Sequence, residues 1–137
     1  MLYVEIISGL WIGDIDIMYN KKFIKDNNIT IILNCTTNIK FSDCSDTKNM
    51  RIPLSDNLYH NIDTLRKNKD KILTFIDDSL NDNNILVSCY DGKTISPFII
   101  SLYLIKYGSI PKDQIKKIIQ SKNTQISTDY DLELLDL

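Results

Sequence analysis

Hydrophobic positions recur along this chain in short blocks, and their period changes from about two to about four from block to block. Residues 3–7 alternate loosely and predict a strand. Leu10-Trp11-Ile12, after Gly9 and ended by Gly13, predicts a second. Asp14 or Asp16 is placed to cap a short helix. Residues 20–27 predict a helix with Phe23 and Ile24 inward, and residues 29–34 are a β-branched apolar run that predicts a buried strand. Residues 36–49 are polar and without period, a loop. Residues 50–54 predict a short strand broken by Pro53. The later part of residues 61–80 carries a helical apolar face. Ile85-Leu86-Val87 is the next buried strand, and a loop over residues 89–94 follows it. Residues 97–107 predict an apolar helix closed by Gly108. Pro111 opens another helix to about Ser121, and Thr128 or Asp129 caps a last one ending near Leu137.

Strands alternate with helices, and the strands are nearly continuous hydrophobic runs. That pattern predicts an α/β fold with a central four- to five-stranded, mostly parallel sheet flanked by helices on both sides. No linker or repeat interrupts it, so residues 1–137 are expected to form a single domain. Hydrophobic residues are 43% and charged residues 25% of the chain, which excludes a disordered tail or a fibrous repeat. The net charge of −2 gives no basic field, so nucleic acid is not an expected partner. Unbroken apolar runs reach four residues at most, so no membrane span is expected. The N-terminus lacks a basic, apolar leader, which points to the cytosol. The chain has 24 Ile, 13 Asn and 14 Lys, no Ala, and only Arg51 and Arg66 as arginines. Such usage is expected of an AT-rich genome, such as that of an insect poxvirus, a giant virus or a protozoan. In a virus the compartment would be the host cytoplasm. It also makes the two arginines worth following.

Cys35, Cys44 and Cys89 have no paired-ligand spacing and His60 stands alone, so neither a metal nor another cofactor is expected and the thiols are read as reduced. The informative segment runs from Asn84 to Pro97: a buried strand, a short loop with Gly92, then an apolar helix. In such a unit the loop amides and the helix N-terminus converge on one point that favours an anion. Cys89 stands at the start of that cradle, where a thiolate is stabilised. Gly92-Lys93-Thr94 also looks like the end of a nucleotide-binding P-loop. That motif needs a glycine five residues before Gly92, where Val87 stands within the strand, so the wrap around a β-phosphate cannot form.

The chain resembles the catalytic domain of dual-specificity protein phosphatases, of the cysteine-based protein-tyrosine phosphatase superfamily. Residues 8–13 (Ser-Gly-Leu-Trp-Ile-Gly) look like the family's opening "gLylG" strand, and residues 28–34 like its "gIthVlN" strand. Residues 52–56 (Ile-Pro-Leu-Ser-Asp) look like the stretch bearing the general-acid aspartate. Residues 85–89 look like "vLVHC", and residues 97–103 like the helix after the phosphate loop. The resemblance implies a protein-tyrosine phosphatase-like fold. It places Cys89 at the nucleophile position, Asp56 at the general-acid position, Gly92 at the usual glycine and Ser96 at the loop hydroxyl. The phosphate loop would be Cys89, Tyr90, Asp91, Gly92, Lys93, Thr94, Ile95 and Ser96.

Two departures decide what is expected. The family's loop arginine is Ile95 here, and the histidine before the cysteine is Ser88. That arginine binds two phosphoryl oxygens, and losing such a bidentate contact should cost about 3–5 kcal/mol in the transition state, roughly 10²–10⁴-fold in rate. Lys93 offers only a point charge, Asp91 adds a negative one, and Arg51 and Arg66 lie far off in sequence. With less positive field, Cys89 is expected to be a less acidic, exposed but disarmed nucleophile, the alternative being a buried small hydrophobe at a strand end. The expectation is therefore a pseudophosphatase, inactive or severely impaired, that engages a phosphoprotein or another partner protein. The alternative is a weak phosphatase using Cys89 and Asp56 with a cation from elsewhere. A third is that the loop has lost phosphate binding and another face binds partners. Cys35 and Cys44 are expected to be packing or loop thiols, His60 a loop or helix-start residue and Trp11 a core residue. Lys112, Lys116 and Lys117 are read as a solvated helix face.

Overall fold

The computed structural model describes residues 1–42 and 46–135. Its centre is a five-stranded sheet in the order β1-β2-β5-β3-β4, built from β1 (Tyr3–Ile7), β2 (Leu10–Gly13), β3 (Ile29–Asn34), β4 (Lys48–Arg51) and β5 (Asn84–Ser88). Only β1 runs antiparallel, returning through the Gly9 turn; β2, β5, β3 and β4 are parallel neighbours. The expected mostly parallel α/β sheet is therefore present.

Alternation along the strands sorts side chains to two faces. Leu10, Ile12, Ile31, Leu33, Ile85 and Val87 face one core, with α3 (Ile62–Leu80), α4 (Ile95–Lys106) and α5 (Lys112–Lys122). Ile32 and Leu86 face the other, with α1 (Ile15–Met18) and α2 (Lys21–Asp26). Asp14 caps α1 by accepting from Ile17 N at 2.9 Å, and Asn20 caps α2 by accepting from Phe23 N at 2.9 Å. β5 sits at the centre and is covered on both sides. Its carboxyl end is where an open α/β sheet places a ligand.

Three elements differ from the sequence reading. β4 begins at Lys48, two residues before the expected Met50, because it is an edge strand whose register pairs Ile31 with Lys48. A strand covered on one side only needs no apolar run, so the pattern there is silent. Helix α4 begins at Ile95, ahead of Pro97, since the missing N–H of a proline in the first helical turn goes unused. Among the described residues after α5 the expected last helix does not form; residues 132–135 make only a turn, and its expected end at Leu137 lies outside the described residues. Ile126, Tyr130, Leu132 and Leu135 are buried in the main core, while the backbone is held from outside. Ser127 N donates to Lys93 O at 2.9 Å, Arg66 Nη2 to Leu134 O at 3.3 Å and Lys69 Nζ to Leu135 O at 3.1 Å. Those tertiary bonds replace the internal ladder that a helix would have made.

Phe98 of α4 is fully buried and meets Tyr130 edge-on at 5.5 Å, so it joins the helix behind the loop to the C-terminal strap. Phe98→Ala should destabilise the protein by roughly 3–5 kcal/mol, read from urea unfolding. A loss below about 1 kcal/mol would mean that the strap does not lean on α4.

Candidate active site at the turn between β5 and α4

Cys89 is held by its backbone before its side chain matters. Its N–H donates to Gly13 O at 3.3 Å, and Cys35 N–H donates to Ser88 O at 2.7 Å, so the end of β5 is pinned between β2 and β3. Ser88, where the family has histidine, is buried, and its hydroxyl donates to Asp14 O at 3.1 Å. The chain then turns through Gly92 at φ +71°, a conformation that L side chains avoid. A Cβ there would also lie 2.9 Å from Leu2 Cδ2 and 3.2 Å from Asp14 N, so both space and backbone require glycine.

The turn returns the chain so that amides converge on the sulfur. Ser96 N–H donates to Cys89 Sγ at 3.4 Å, and the Gly92 amide also favours the thiolate. Ser96 Oγ is buried without a partner of good geometry and lies where it would stabilise an ionised Cys89. Burial outweighs these donors. Cys89 is 0% exposed, and desolvation pushes its pKa above the ordinary thiol value, with the Asp91 charge adding to the rise. The direction agrees with the expected weak acidity, and burial is its first cause. The expected exposure is corrected: the thiol is sealed. Cys35, one residue beyond β3 and on the same sheet face, is pushed up further by complete burial and by the neighbouring Cys89. It is a packing thiol, as expected. Cys44 lies outside the described residues.

Ile95 is buried in the main core as the first residue of α4. Neither arginine replaces the one missing there. Arg51 donates from Nη1 to Thr36 O at 2.9 Å and from Nη2 to Ile39 O at 2.7 Å, and stacks 5.1 Å from the Phe41 ring. It braces the segment after β3. Arg66 reaches the C-terminal turn. Lys93 points its side chain to solvent, and its N–H is taken by Asp91 Oδ1 at 2.9 Å. That amide is therefore already engaged within the loop. Tyr90 leans outward, its hydroxyl accepting from Thr37 N at 3.2 Å.

Asp56 is exposed and shares with Thr94, Asp129 and Tyr130 an open hollow of about 460 Å³. The structure thus brings Asp56 to the rim of the loop, while Cys89 does not line that hollow. His60 lies within a 3-10 turn over Leu58–Asn61 just before α3, as expected. Trp11 is half-buried, not core: it packs edge-on against Phe23 at 5.3 Å. Two of the three lysines read as a solvated face are engaged. Lys112 pairs with Glu133 at 2.9 Å, and Lys116 lies 5.4 Å from the Tyr130 ring. Sequence reasoning missed Asn34, whose Nδ2 donates to Ile39 O at 2.9 Å and whose Oδ1 accepts from Thr36 Oγ1 at 2.6 Å. A polar residue ending an otherwise apolar strand was the available signal.

Residues 10–134 match the family described as "Dual specificity phosphatase, catalytic domain". Among solved structures, a variant of human DUSP28 superimposes with TM-score 0.84 at 12% identity, over 94% of this chain and 87% of that one. DUSP15 gives 0.82 at 19% identity, over 97% and 85%. The human tyrosine phosphatase-like serine/threonine/tyrosine-interacting protein gives 0.79 at 18% identity, over 97% and 92%. Identities this low speak for the fold alone. No curated protein sequence matches the chain.

The two sealed thiols set a pH dependence. Their folded pKa values lie above the unfolded ones, so their contribution to stability is complete below about pH 8 and is lost as pH rises past the free-thiol value of about 8.5. Stability measured from pH 7 to 10 should fall, and Cys35→Ser with Cys89→Ser should flatten that fall. In a Cys44→Ser background, iodoacetamide should label Cys89 slowly, with a midpoint above the free-thiol value; a midpoint below about 6.5 would contradict the burial account.

Proposed function

The chain belongs to the dual-specificity phosphatase family, and on that premise we propose that it is a catalytically silent member that works by binding a phosphoprotein or another partner protein. Turnover in this chemistry requires a thiolate, a cation for the transferred phosphoryl group and an acid for the leaving oxygen. The observation that carries the reading is Ile95: the position that should present a guanidinium presents an alkyl side chain to the core instead. The engagement of Arg51 with Thr36 and Ile39 supports it, since that guanidinium is already spent.

The thiol supports the same reading. Burial pushes the pKa of Cys89 above the ordinary thiol value, which favours the neutral thiol over the nucleophilic thiolate. This adds to the roughly 10²–10⁴-fold deficit that the missing bidentate contact brings against a working site. Asp91 weighs against strong anion binding, because its carboxylate holds the Lys93 amide and places a negative charge at the rim. One observation favours residual activity. Asp56 lies at the hollow beside Thr94, where an acid could serve a leaving group if Cys89 were freed to act as nucleophile.

The purified protein should show no hydrolysis of para-nitrophenyl phosphate above a Cys89→Ser control. A rate well above that control overturns the silent reading. Inorganic phosphate should raise the melting temperature only at about millimolar concentration or above.

Ile95→Arg, alone or with Ser88→His, should return part of the roughly 10²–10⁴-fold assigned to the guanidinium. A melting curve must accompany the assay, because an unpaired arginine directed into the core would unfold the domain. If a folded Ile95→Arg protein binds phosphate and still fails to turn over, the defect extends to Asp56 or the loop backbone.

A further inference from the structure

The strip between β4 and the outer side of α3 takes no part in the site above. β4 pairs with β3 alone among the described residues and forms that edge of the sheet. Ile52 N–H donates to Asn34 O at 2.9 Å, so by the alternation of a parallel ladder the backbone groups of Asn49 and Arg51 face away from β3. Beside this open edge runs a groove of about 370 Å³. Met50 and Ile52 line it from the strand side, and Asn68, Ile72 and Phe75 from the helix. Its floor is apolar and its rim is cationic. Lys71 lines it, Lys48 Nζ lies 5.3 Å from the Phe75 ring, and Lys67 stands one helical turn before Lys71. None of these three lysines forms an ion pair among the described residues, and no carboxylate lines the groove. By contrast, Lys106 of the neighbouring α4 is paired with Asp70 at 3.0 Å.

We propose that this groove docks an extended, acidic segment of a partner protein, laid beside β4 as a sixth strand. Its apolar side chains would sit on Ile72 and Phe75 and its carboxylates on Lys48 and Lys71. Among the described residues the outward backbone groups of Asn49 and Arg51 have no partner, which selects a strand, since a docked helix has no free main-chain groups to offer them. The charge selects the sign. A second copy of this chain would bring Lys48 and Arg51 against themselves, which edge lysines serve to prevent, whereas an acidic strand meets them with opposite charge. The inference goes beyond the silent-enzyme reading and does not use the β5–α4 loop.

The probe is a fluorescein-labelled peptide, Glu-Glu-Val-Thr-Phe-Thr-Glu-Glu, which as a strand puts Glu, Val, Phe and Glu on one face. Titrated with the full chain, it should bind saturably below about 1 mM and weaken with added salt, and the same peptide with Lys for every Glu should not bind. Lys48→Glu together with Lys71→Glu should weaken binding by about tenfold or more, while Lys122→Glu, on exposed α5 surface, should leave it unchanged. Deuterium exchange should show protection at residues 48–53 on binding, and 10 mM inorganic phosphate, about the concentration that tests the loop, should not displace the peptide. Equal binding of the two peptides, no saturation, protection at residues 89–96 instead, or self-association of the chain through β4 would each overturn the proposal. Because aryl-phosphate hydrolysis is measured separately, the failure of one reading leaves the other standing.

Discussion

Gly92 and the contact beneath it hold the site together. Its positive φ lets the chain leave β5 and re-enter as α4 within six residues, and the absent Cβ lets that turn close over Leu2, Gly13 and Asp14. Asp14 serves three elements from below: it caps α1, accepts from Leu2 N at 2.8 Å and receives the Ser88 hydroxyl. The N-terminal residues, β2, β5 and the loop therefore share one polar knot under the amides that face Cys89. Residues that hold the turn and residues that would do chemistry are different residues, so the turn can persist after the chemistry is disabled.

Two opposing effects meet at Cys89. Loop amides, a helix N-terminus and the Ser96 hydroxyl favour the thiolate, while complete burial and the Asp91 charge favour the thiol. In a working site a guanidinium would tip the balance toward charge. Here the neighbouring position contributes Ile95 to the core, and burying such a side chain stabilises the fold by roughly 1.5–3 kcal/mol. The same exchange that removes the transition-state contact thus adds to the packing behind the loop.

The periphery is braced by cations used as structural donors. Arg51 satisfies the Thr36 and Ile39 carbonyls, Arg66 the Leu134 carbonyl and Lys69 the Leu135 carbonyl. A carbonyl left unpaired in a partly buried loop costs more than a surface ion pair returns, which is where scarce guanidinium groups have the largest effect. Among the described residues the lysines along the β4 groove hold no carbonyl in this way.

The alternation from period two to period four was enough to lay out the sheet and helices, because strands covered on both faces must be continuously apolar and helices must bury a stripe. The Cys89–Ser96 loop was legible for a similar reason: strand, glycine and apolar helix in sequence permit few turns, and the substitutions at Ser88 and Ile95 can be read without coordinates. Edge strand β4 starts before its apolar pattern does because one-sided burial leaves no periodic signal. The leucines of the C-terminal strap are spaced like those of a helix, yet its backbone is satisfied by Lys93, Arg66 and Lys69, partners at least 34 residues away in the chain. The sealing of Cys89, the engagement of Arg51 and the meeting of Asp56 with Thr94 at one hollow are likewise properties of contact across the fold. Sequence by itself determined which chemical groups exist and which local shapes their order allows. Only the tertiary structure decided which of those groups keep water and which lose it, because desolvation and hydrogen-bond satisfaction depend on neighbours that the linear order does not name.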